Sequence, residues 1–331
     1  MRAQLLKKNG LIESNPLSFT HVQRLKPLQG EVEIKIIACG VCLTDKHIIE
    51  GDIPLHKQPV IPGHQIVGRI ESVGPGVTYL KSGMMVGVPW LSSTCNQCCY
   101  CDTELENLCD RAKFTGYDVD GGYAEYTIAK ADYVIVLRED DDPIKIAPLL
   151  CAGIVGYRSY KLCRVKPKGV LALFGFGGSA SQVIQVAKYY ENEVQVYTRS
   201  QSHQKMAIEM GALFAQDASQ AKDYLYDAAI IFAPCGELVK FALEGLAKGG
   251  TLAINAIHAT DIPSMSYDMI YHEREIKSVA NATRADAIEY IELARRVNIT
   301  PKTKVYPLSE ANQALLDLKH SQINGSAVLI P

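Results

Sequence analysis

Four cysteines of the chain stand at a spacing that suits a metal ion. The stretch CNQCCYCDTELENLC places Cys95, Cys98, Cys101 and Cys109 in a C-x2-C-x2-C-x7-C pattern. Four thiolates on one tight loop can complete a tetrahedron around Zn²⁺ and leave no position for a substrate. We therefore predict a closed, structural zinc site here. The fifth cysteine, Cys99, does not fit this spacing and is expected to point away.

A second set of possible ligands is scattered along the chain. Cys42 lies in CGVCLTDKH, His64 in PGHQIVG and Cys151 in APLLCAGIVGY. Two thiolates and a neutral imidazole would neutralise Zn²⁺ and leave a fourth position for water or substrate, as catalytic zinc requires. Because their spacing proves little, the alternative of two buried cysteines and a core histidine stays open.

A glycine-rich turn indicates nucleotide binding. The stretch LALFGFGGSA places Gly175, Gly177 and Gly178 directly after a buried-strand pattern and before a helix. Gly175 would make the tight turn, and Gly177 would let a pyrophosphate approach the backbone at the helix N-terminus. Ala180 stands at the third position of the G-x-G-x-x-G/A fingerprint. The alternative is a tight strand–helix turn without a ligand.

The end of the next strand bears on the choice of dinucleotide. An acidic residue there would bind the ribose 2′-hydroxyl of NAD. This strand ends in VYTRS, so Thr198 replaces the carboxylate and Arg199 follows it. Because a guanidinium can pair with a 2′-phosphate, the sequence favours NADP, with NAD as the alternative.

The chain has two regions with different patterns of predicted secondary structure, and the elements of these regions must position the candidate residues. Residues 1–148 contain short β-like runs broken by Gly and Pro, which indicate a partly open β-barrel with a metal-binding lobe at about 93–111. Residues 149–285 alternate strand and helix patterns, including ELVKFALEGLAKGG as one helix, and predict a doubly wound parallel sheet. Residues 286–331 are expected to return to the first domain. The predicted fold class is α/β.

Composition limits the possible partners. The 331 residues are enough for about two domains, and 47% hydrophobic with 21% charged residues is ordinary for a globular protein. A net charge of −2 gives no reason to expect nucleic-acid or membrane binding. We find neither a signal-peptide pattern nor a membrane-span pattern, and we expect a cytoplasmic protein whose ten cysteines serve mainly as metal ligands.

Taken together, these motifs resemble a known family. CGVCLTDKH, GHQIVGRIESVGPGV, the four-cysteine lobe, LLCAGIVGYRSYK and GFGGSA are similar to zinc-dependent alcohol dehydrogenases of the medium-chain dehydrogenase/reductase superfamily. The likeness covers essentially the whole chain and favours the bacterial AdhA-type branch. It implies a GroES-like catalytic domain, a Rossmann domain, two zinc ions per chain and NADP or NAD as cofactor.

The resemblance also implies roles for individual residues. The three scattered residues Cys42, His64 and Cys151 would hold the catalytic zinc, and the four clustered cysteines the structural one. Thr44 would pass the alcohol proton through the cofactor ribose to His47. Asp45 would orient His64, and Trp90 would form a wall of the substrate pocket.

The sequence departs from the family pattern at four positions. Gln65 replaces the glutamate of the usual GHE, which removes a carboxylate thought to assist ligand exchange at zinc. Leu43 and Ser326 stand where basic residues often contact the cofactor phosphates, and Met84 replaces a frequent acidic residue. The phosphate contacts would therefore depend on the helix N-terminus and Arg199.

The activity that this resemblance implies is reversible hydride transfer between NADP(H) or NAD(H) and a primary or small secondary alcohol or its carbonyl product. Several alternatives stay open: a polyol, formaldehyde or cinnamyl-type dehydrogenase, a zinc-independent enone or quinone reductase, and a non-enzymatic NADPH-binding protein. The family resemblance also implies a homodimer or homotetramer.

Overall fold

The computed structural model describes residues 1–220, 225–323 and 325–331. These residues divide into two compact units. Unit 1 contains Met1–Cys151, Thr283–Ile291 and Thr300–Pro331, and unit 2 contains Ala152–Ala282 and Glu292–Ile299. The sequence predicts domain boundaries at 148/149 and 285/286. The limits of the two units lie a few residues from these positions, except that residues 292–299 group with unit 2.

The strands of unit 1 follow one another with few helices between them, whereas those of unit 2 mostly alternate with helices. In chain order they are β1 (Arg2–Leu6), β2 (Leu17–His21), β3 (Glu31–Val41), β4 (Ile66–Val73), β5 (Met85–Val88), β6 (Leu91–Ser93), β7 (Lys113–Phe114), β8 (Tyr126–Lys130), β9 (Ile135–Val136), β10 (Val170–Phe174), β11 (Glu193–Tyr197), β12 (Phe214–Gln216), β13 (Tyr226–Ile231), β14 (Leu246–Ile254), β15 (Glu275–Ser278), β16 (Thr303–Pro307) and β17 (Ser326–Ile330). Each of the two units builds its own large sheet from them.

The helices are divided between the two units. In chain order they are α1 (Leu43–Glu50), α2 (Cys99–Asp102), α3 (Pro143–Ile146), α4 (Ala152–Cys163), α5 (Gly178–Tyr189), α6 (Gln201–Glu209), α7 (Leu238–Glu244), α8 (Arg284–Val297) and α9 (Ala311–Lys319). Among the residues that the structure describes, these helices are all too short or too polar to span a membrane.

The sheet of unit 1 has the order β16-β17-β3-β4-β5-β9, and β8 also pairs with β3. Its pairs are antiparallel except β16 with β17. The alternating sequence of β3 buries Val32, Ile34 and Ile36 in the core. Cys39 pairs with Ile66, so the end of β3 lies beside the start of β4. This register determines which residues meet beyond both strands.

The sheet of unit 2 is parallel and has the order β12-β11-β10-β13-β14-β15. Central strand β10 is apolar on both faces, as expected for a strand with helices on either side, and Leu171–Phe174 are fully buried. Strand order reverses between β10 and β13, where doubly wound sheets bind ligands at the carboxyl ends of the strands. The predicted α/β fold class is confirmed.

One predicted element is wrong in part. The stretch ELVKFALEGLAKGG is not a single helix, because α7 ends at Glu244 and β14 begins at Leu246. Gly245 follows the helix, and the chain then pairs with β13 and β15. Leu246 is fully buried in the strand, and a buried apolar run fits either element by pattern alone, so the backbone partners in the sheet decide in favour of a strand.

Candidate metal and nucleotide sites

The fold brings the three scattered ligands together. Possible ligand atoms of Cys42, His64 and Cys151 all lie within 4.8 Å of one another in unit 1. The register of β3 and β4 explains the first pair, because Cys42 follows β3 and His64 lies just before β4. Cys151 joins them at the end of the short 3₁₀ helix Ala147–Leu150.

Asp45 fixes both the start of α1 and the orientation of His64. Cys42 is the N-cap of α1, and its backbone N–H donates to Asp45 Oδ2 at 2.9 Å. Asp45 Oδ1 lies 2.9 Å from His64 Nδ1, and both side chains are fully buried. A carboxylate at this distance favours a proton on Nδ1 and a lone pair on Nε2, as in metal-ligating histidines.

The second ring nitrogen of His64 indicates a metal. Nε2 is buried and makes no hydrogen bond within the described part of the chain. Burial lowers the pKa of His64, but the charges of Asp45 and Cys42 outweigh it and raise the pKa to about 10, so the site favours a positive charge. The neighbouring Cys151 and His64 side chains hold the pKa of the Cys42 thiol well below its ordinary value. The donor set therefore suits a divalent cation such as zinc.

Two further residues lie against this ligand set. The Trp90 ring meets the His64 ring edge-on at 4.8 Å between centroids and stacks on Phe114 at 5.1 Å. Gln65 is buried and packs on Gly40, where an added Cβ would lie 2.6 Å from Gln65 Oε1. Trp90 thus lies next to a candidate metal ligand, which is consistent with a pocket wall, and its role stays a prediction.

Thr44 and His47 lie three residues apart on α1 and so share a face of the helix. Thr44 Oγ1 is 3.7 Å from Cys42 Sγ. His47 Nδ1 lies 2.7 Å from Asp52 Oδ2, which also accepts a hydrogen bond from Lys46 at 2.7 Å. Hydrogen bonds from Lys46 and His47 hold the pKa of Asp52 at about 2.

Asp52 was not predicted from the sequence. The signal was present in Gly51–Asp52, because a glycine that ends a helix turns the chain back on its last residues. Gly51 has a φ of 85° and donates its N–H to His47 O at 3.1 Å. Asp52 can therefore reach the His47 ring.

The clustered cysteines form a second possible metal site. The Sγ atoms of Cys95, Cys98, Cys101 and Cys109 lie within 4.8 Å of one another. Backbone N–H groups of Cys95 and Arg111 point at Cys109 Sγ from 3.5 and 3.4 Å, as they do in thiolate sites. Cys99 is exposed, as expected for a residue outside the ligand set.

The glycine-rich turn lies at the carboxyl end of β10. Gly175 has a φ of 88°, and an added Cβ would lie 3.0 Å from Ala233 N, so a side chain would be both strained and crowded. Gly177 caps α5, and an added Cβ there would meet no atom within 4 Å. Gly178 begins α5, and Ala180 is fully buried under it. The helix N-terminus therefore lies open to an anion.

The structure adds an acidic residue near Arg199. Arg199 is exposed just after β11, and Thr198 donates its backbone N–H to Gln216 O at 2.7 Å. Asp217 follows Gln216, and hydrogen bonds from Ser219, together with the charge of Arg199, lower its pKa. Arg199 therefore lies within the electrostatic reach of a carboxylate.

The other departures from the family pattern lie at ordinary positions. Leu43 is 48% exposed at the start of α1, and Ser326 begins β17 with its N–H bonded to Lys302 O at 2.9 Å. Met84 accepts a hydrogen bond from the Lys81 N–H in a tight turn. None of these three contributes a charge to either ligand set.

Known proteins match both the sequence and the fold. Residues 28–139 match the alcohol dehydrogenase GroES-like domain. Over its full length the chain is 43% identical to the probable alcohol dehydrogenase AdhA of Mycobacterium tuberculosis, and the match covers 97% of that protein. The chain belongs to the alcohol dehydrogenase family. The resemblance to this family and its AdhA-type branch is confirmed.

Solved structures agree with this membership. This alcohol dehydrogenase family member superposes on cinnamyl alcohol dehydrogenase from Sorghum bicolor with a TM-score of 0.89 and 26% identity. The match covers 99% of this chain and 97% of that one. It superposes on CAD from Helicobacter pylori complexed with NADP(H) with a TM-score of 0.88 and 26% identity, covering 100% and 99%. The predicted GroES-like and Rossmann folds are therefore confirmed.

Proposed function

We propose that this protein transfers hydride reversibly between NADP(H) and a primary or small secondary alcohol or its aldehyde or ketone. NAD(H) is the alternative cofactor. The convergence of Cys42, His64 and Cys151, with a buried His64 Nε2 that makes no hydrogen bond within the described residues, carries this proposal. Family membership supports it.

The two cysteine-containing ligand sets have different roles. Cys42, His64 and Cys151 would hold a zinc ion and leave a fourth position for the substrate oxygen. Zinc at that position supplies Lewis acidity, which lowers the pKa of an alcohol. The four clustered cysteines offer no open position, and a zinc ion there would hold the surrounding lobe together.

The chain supplies the groups that move the alcohol proton. The Thr44 hydroxyl would accept the alcohol proton and give up its own, and the His47 imidazole would take up a proton and release it to water. Asp52 holds the ring of His47 through Nδ1. Asp45 keeps His64 Nε2 turned toward the two thiolates, and Trp90 bounds the space beside the His64 ring.

The second unit binds the cofactor, which supplies the hydride acceptor. Gly175, Gly177 and Gly178 let the backbone at the start of α5 hold the pyrophosphate, and Ala180 allows close packing below it. Arg199 would pair with the 2′-phosphate of NADP, whereas Asp217 opposes that charge. The NADP(H) complex of the Helicobacter pylori relative supports NADP.

A single set of measurements tests the function. The purified protein is analysed for zinc per chain and assayed for oxidation of NADPH and NADH with short aliphatic, branched and aromatic aldehydes. We expect about two zinc ions per chain, turnover with NADPH, and loss of turnover when a chelator removes the metal. Zinc at the four-cysteine site alone, with no turnover of any aldehyde or alcohol, would contradict the proposal.

The same assay separates the remaining alternatives. Preference for cinnamaldehyde would indicate a cinnamyl-type dehydrogenase, as the name of the Sorghum bicolor enzyme describes it. Turnover of polyols or formaldehyde would change the proposed substrate but not the proposed mechanism.

We also propose a cytoplasmic homodimer or homotetramer. Light scattering of the purified protein measures the subunit number.

A further inference from the structure

The Asp45 carboxylate has a third donor that the metal chemistry above does not use. Tyr123 Oη lies 2.9 Å from Asp45 Oδ2, the oxygen that also accepts the Cys42 N–H. Both Tyr123 and Asp45 are fully buried. A tyrosine hydroxyl keeps its proton at neutral pH, so Tyr123 donates and the carboxylate accepts.

The backbone fixes Tyr123 directly against the segment that carries His64. Tyr123 donates its N–H to Pro62 O at 2.9 Å, and Gly122 donates its N–H to Gly63 O at 2.9 Å. A Cβ added at Gly63 would lie only 2.3 Å from Tyr123 Cδ1. The ring therefore packs on Gly63, the residue before His64, and its hydroxyl reaches the carboxylate that contacts the same histidine.

We propose that Tyr123 is a positioning residue for the metal site, because its hydroxyl holds Asp45 in the orientation that directs His64 Nε2 toward Cys42 and Cys151. The inference rests on the proposed function in treating these three residues as metal ligands. A buried carboxylate is held only by its hydrogen bonds, and each bond to a charged group is stronger than a neutral one. Without the hydroxyl, each oxygen of Asp45 still has one hydrogen-bond partner, but the carboxylate loses one restraint on its rotation.

The test uses the metal-loaded protein and the conservative variant Tyr123→Phe. Co²⁺ is exchanged into the Cys42–His64–Cys151 site, its visible absorption is recorded, and the rate of metal loss to a chelator is measured. We expect roughly tenfold faster loss from Tyr123→Phe and a shifted cobalt spectrum, since partners of metal-ligating histidines typically contribute about 10–100-fold to affinity.

A matched control separates positioning from general stability. Tyr306 is also buried and donates its hydroxyl to a buried carboxylate, Asp317 Oδ2, at 2.6 Å. Tyr306→Phe should lower stability to urea in the metal-free protein, as Tyr123→Phe should, but leave the cobalt spectrum and the rate of metal loss unchanged.

Two results would overturn the inference. The first is a Tyr123→Phe protein whose rate of metal loss and cobalt spectrum equal those of the unsubstituted protein. Changes of the same size in Tyr306→Phe would count equally against the inference. The second is an unsubstituted protein that takes up no metal at this site, in which case the proposed function fails as well. The metal content of the unsubstituted protein therefore distinguishes the two failures.

Discussion

Asp45 and His64 show at the residue scale how burial defines the role of a side chain. A buried carboxylate is costly unless donors surround it, and Asp45 meets the Cys42 N–H, the His64 ring and the Tyr123 hydroxyl. These contacts tie His64 Nδ1 to the carboxylate. Nε2 is left buried and makes no hydrogen bond among the described residues, which is the strongest single indication of a metal.

Asp52 allows a prediction at the same scale. Asp52→Asn keeps the shape of the side chain but removes the charge beside the imidazolium that His47 becomes while it carries the proton. We expect about a tenfold fall in kcat for alcohol oxidation, since a positioned acid–base group contributes roughly 10²–10⁴-fold. Steady-state rates across the pH range of histidine titration measure it.

The control for this variant is Asp140→Asn, which neutralises an exposed carboxylate just before α3. Its kcat should equal that of the unsubstituted enzyme. If Asp52→Asn also retains full kcat, the contact of Asp52 with His47 has no part in proton transfer.

Helix α1 shows at the element scale how one short helix positions several groups. Its N-cap is the proposed metal ligand Cys42, its first turn contains Asp45, and its last turn contains His47. Gly51 ends the helix and returns Asp52 to His47. The helix thus links the proposed metal site to the residues proposed to move the proton.

The four-cysteine lobe allows a comparison of two variants. Cys101→Ser should release zinc from the lobe and lower the thermal midpoint by several degrees, because metal binding contributes directly to the folding of such a loop. His64→Ala should abolish turnover while leaving the thermal midpoint closer to that of the unsubstituted protein. Metal analysis, thermal unfolding and alcohol oxidation measure the three effects. Abolished turnover with unchanged stability in Cys101→Ser would reverse the two assignments.

Strand β16 and helix α9 allow a prediction about pH. Hydrogen bonds from Lys304 and Tyr306 hold the pKa of Asp317 at about 2, below its ordinary 3.8. Since the folded state binds this proton less tightly than the unfolded state, the stabilisation is complete above about pH 4 and is lost as the pH falls toward 2. We expect Asp317→Asn to lower the free energy of unfolding by roughly 1–2 kcal/mol at pH 7.

Urea unfolding of the metal-free protein measures this difference. The difference in the free energy of unfolding between Asp317→Asn and the unsubstituted protein should become smaller as the pH falls from about 4 to about 2. A gap that is as large near pH 2 as at pH 7 would mean that packing rather than charge accounts for the effect.

Cofactor choice belongs to the scale of the whole molecule, because it decides which redox pool the enzyme uses. Arg199→Ala should raise KM for NADP(H) about tenfold or more and leave KM for NAD(H) nearly unchanged, since a guanidinium pairs strongly with phosphate. Lys205→Ala removes an exposed positive charge from α6 and is the matched control. Equal effects on both cofactors would exclude Arg199 as the selective residue.

The local motifs could be predicted from the sequence because their parts lie within one loop or turn. The spacing of Cys95 to Cys109 and the order of strand, glycine turn and helix around Gly175 depend on short-range geometry. Short β-like runs broken by Gly and Pro likewise predicted the β-rich first unit, and alternating strand and helix patterns predicted the parallel second unit. The family resemblance then linked Cys42, His64 and Cys151 to one site.

Only the tertiary structure brought distant residues into contact. The pairing of Cys39 with Ile66 places Cys42 beside His64, and no spacing along the chain specifies that register. Tyr123 could not be connected to Asp45 from the sequence for the same reason. Local composition also favoured one helix where Leu246 begins a strand, because backbone partners in the sheet outweigh local propensity. The sequence by itself thus determined the local motifs, and the packing of the chain determined which side chains act together.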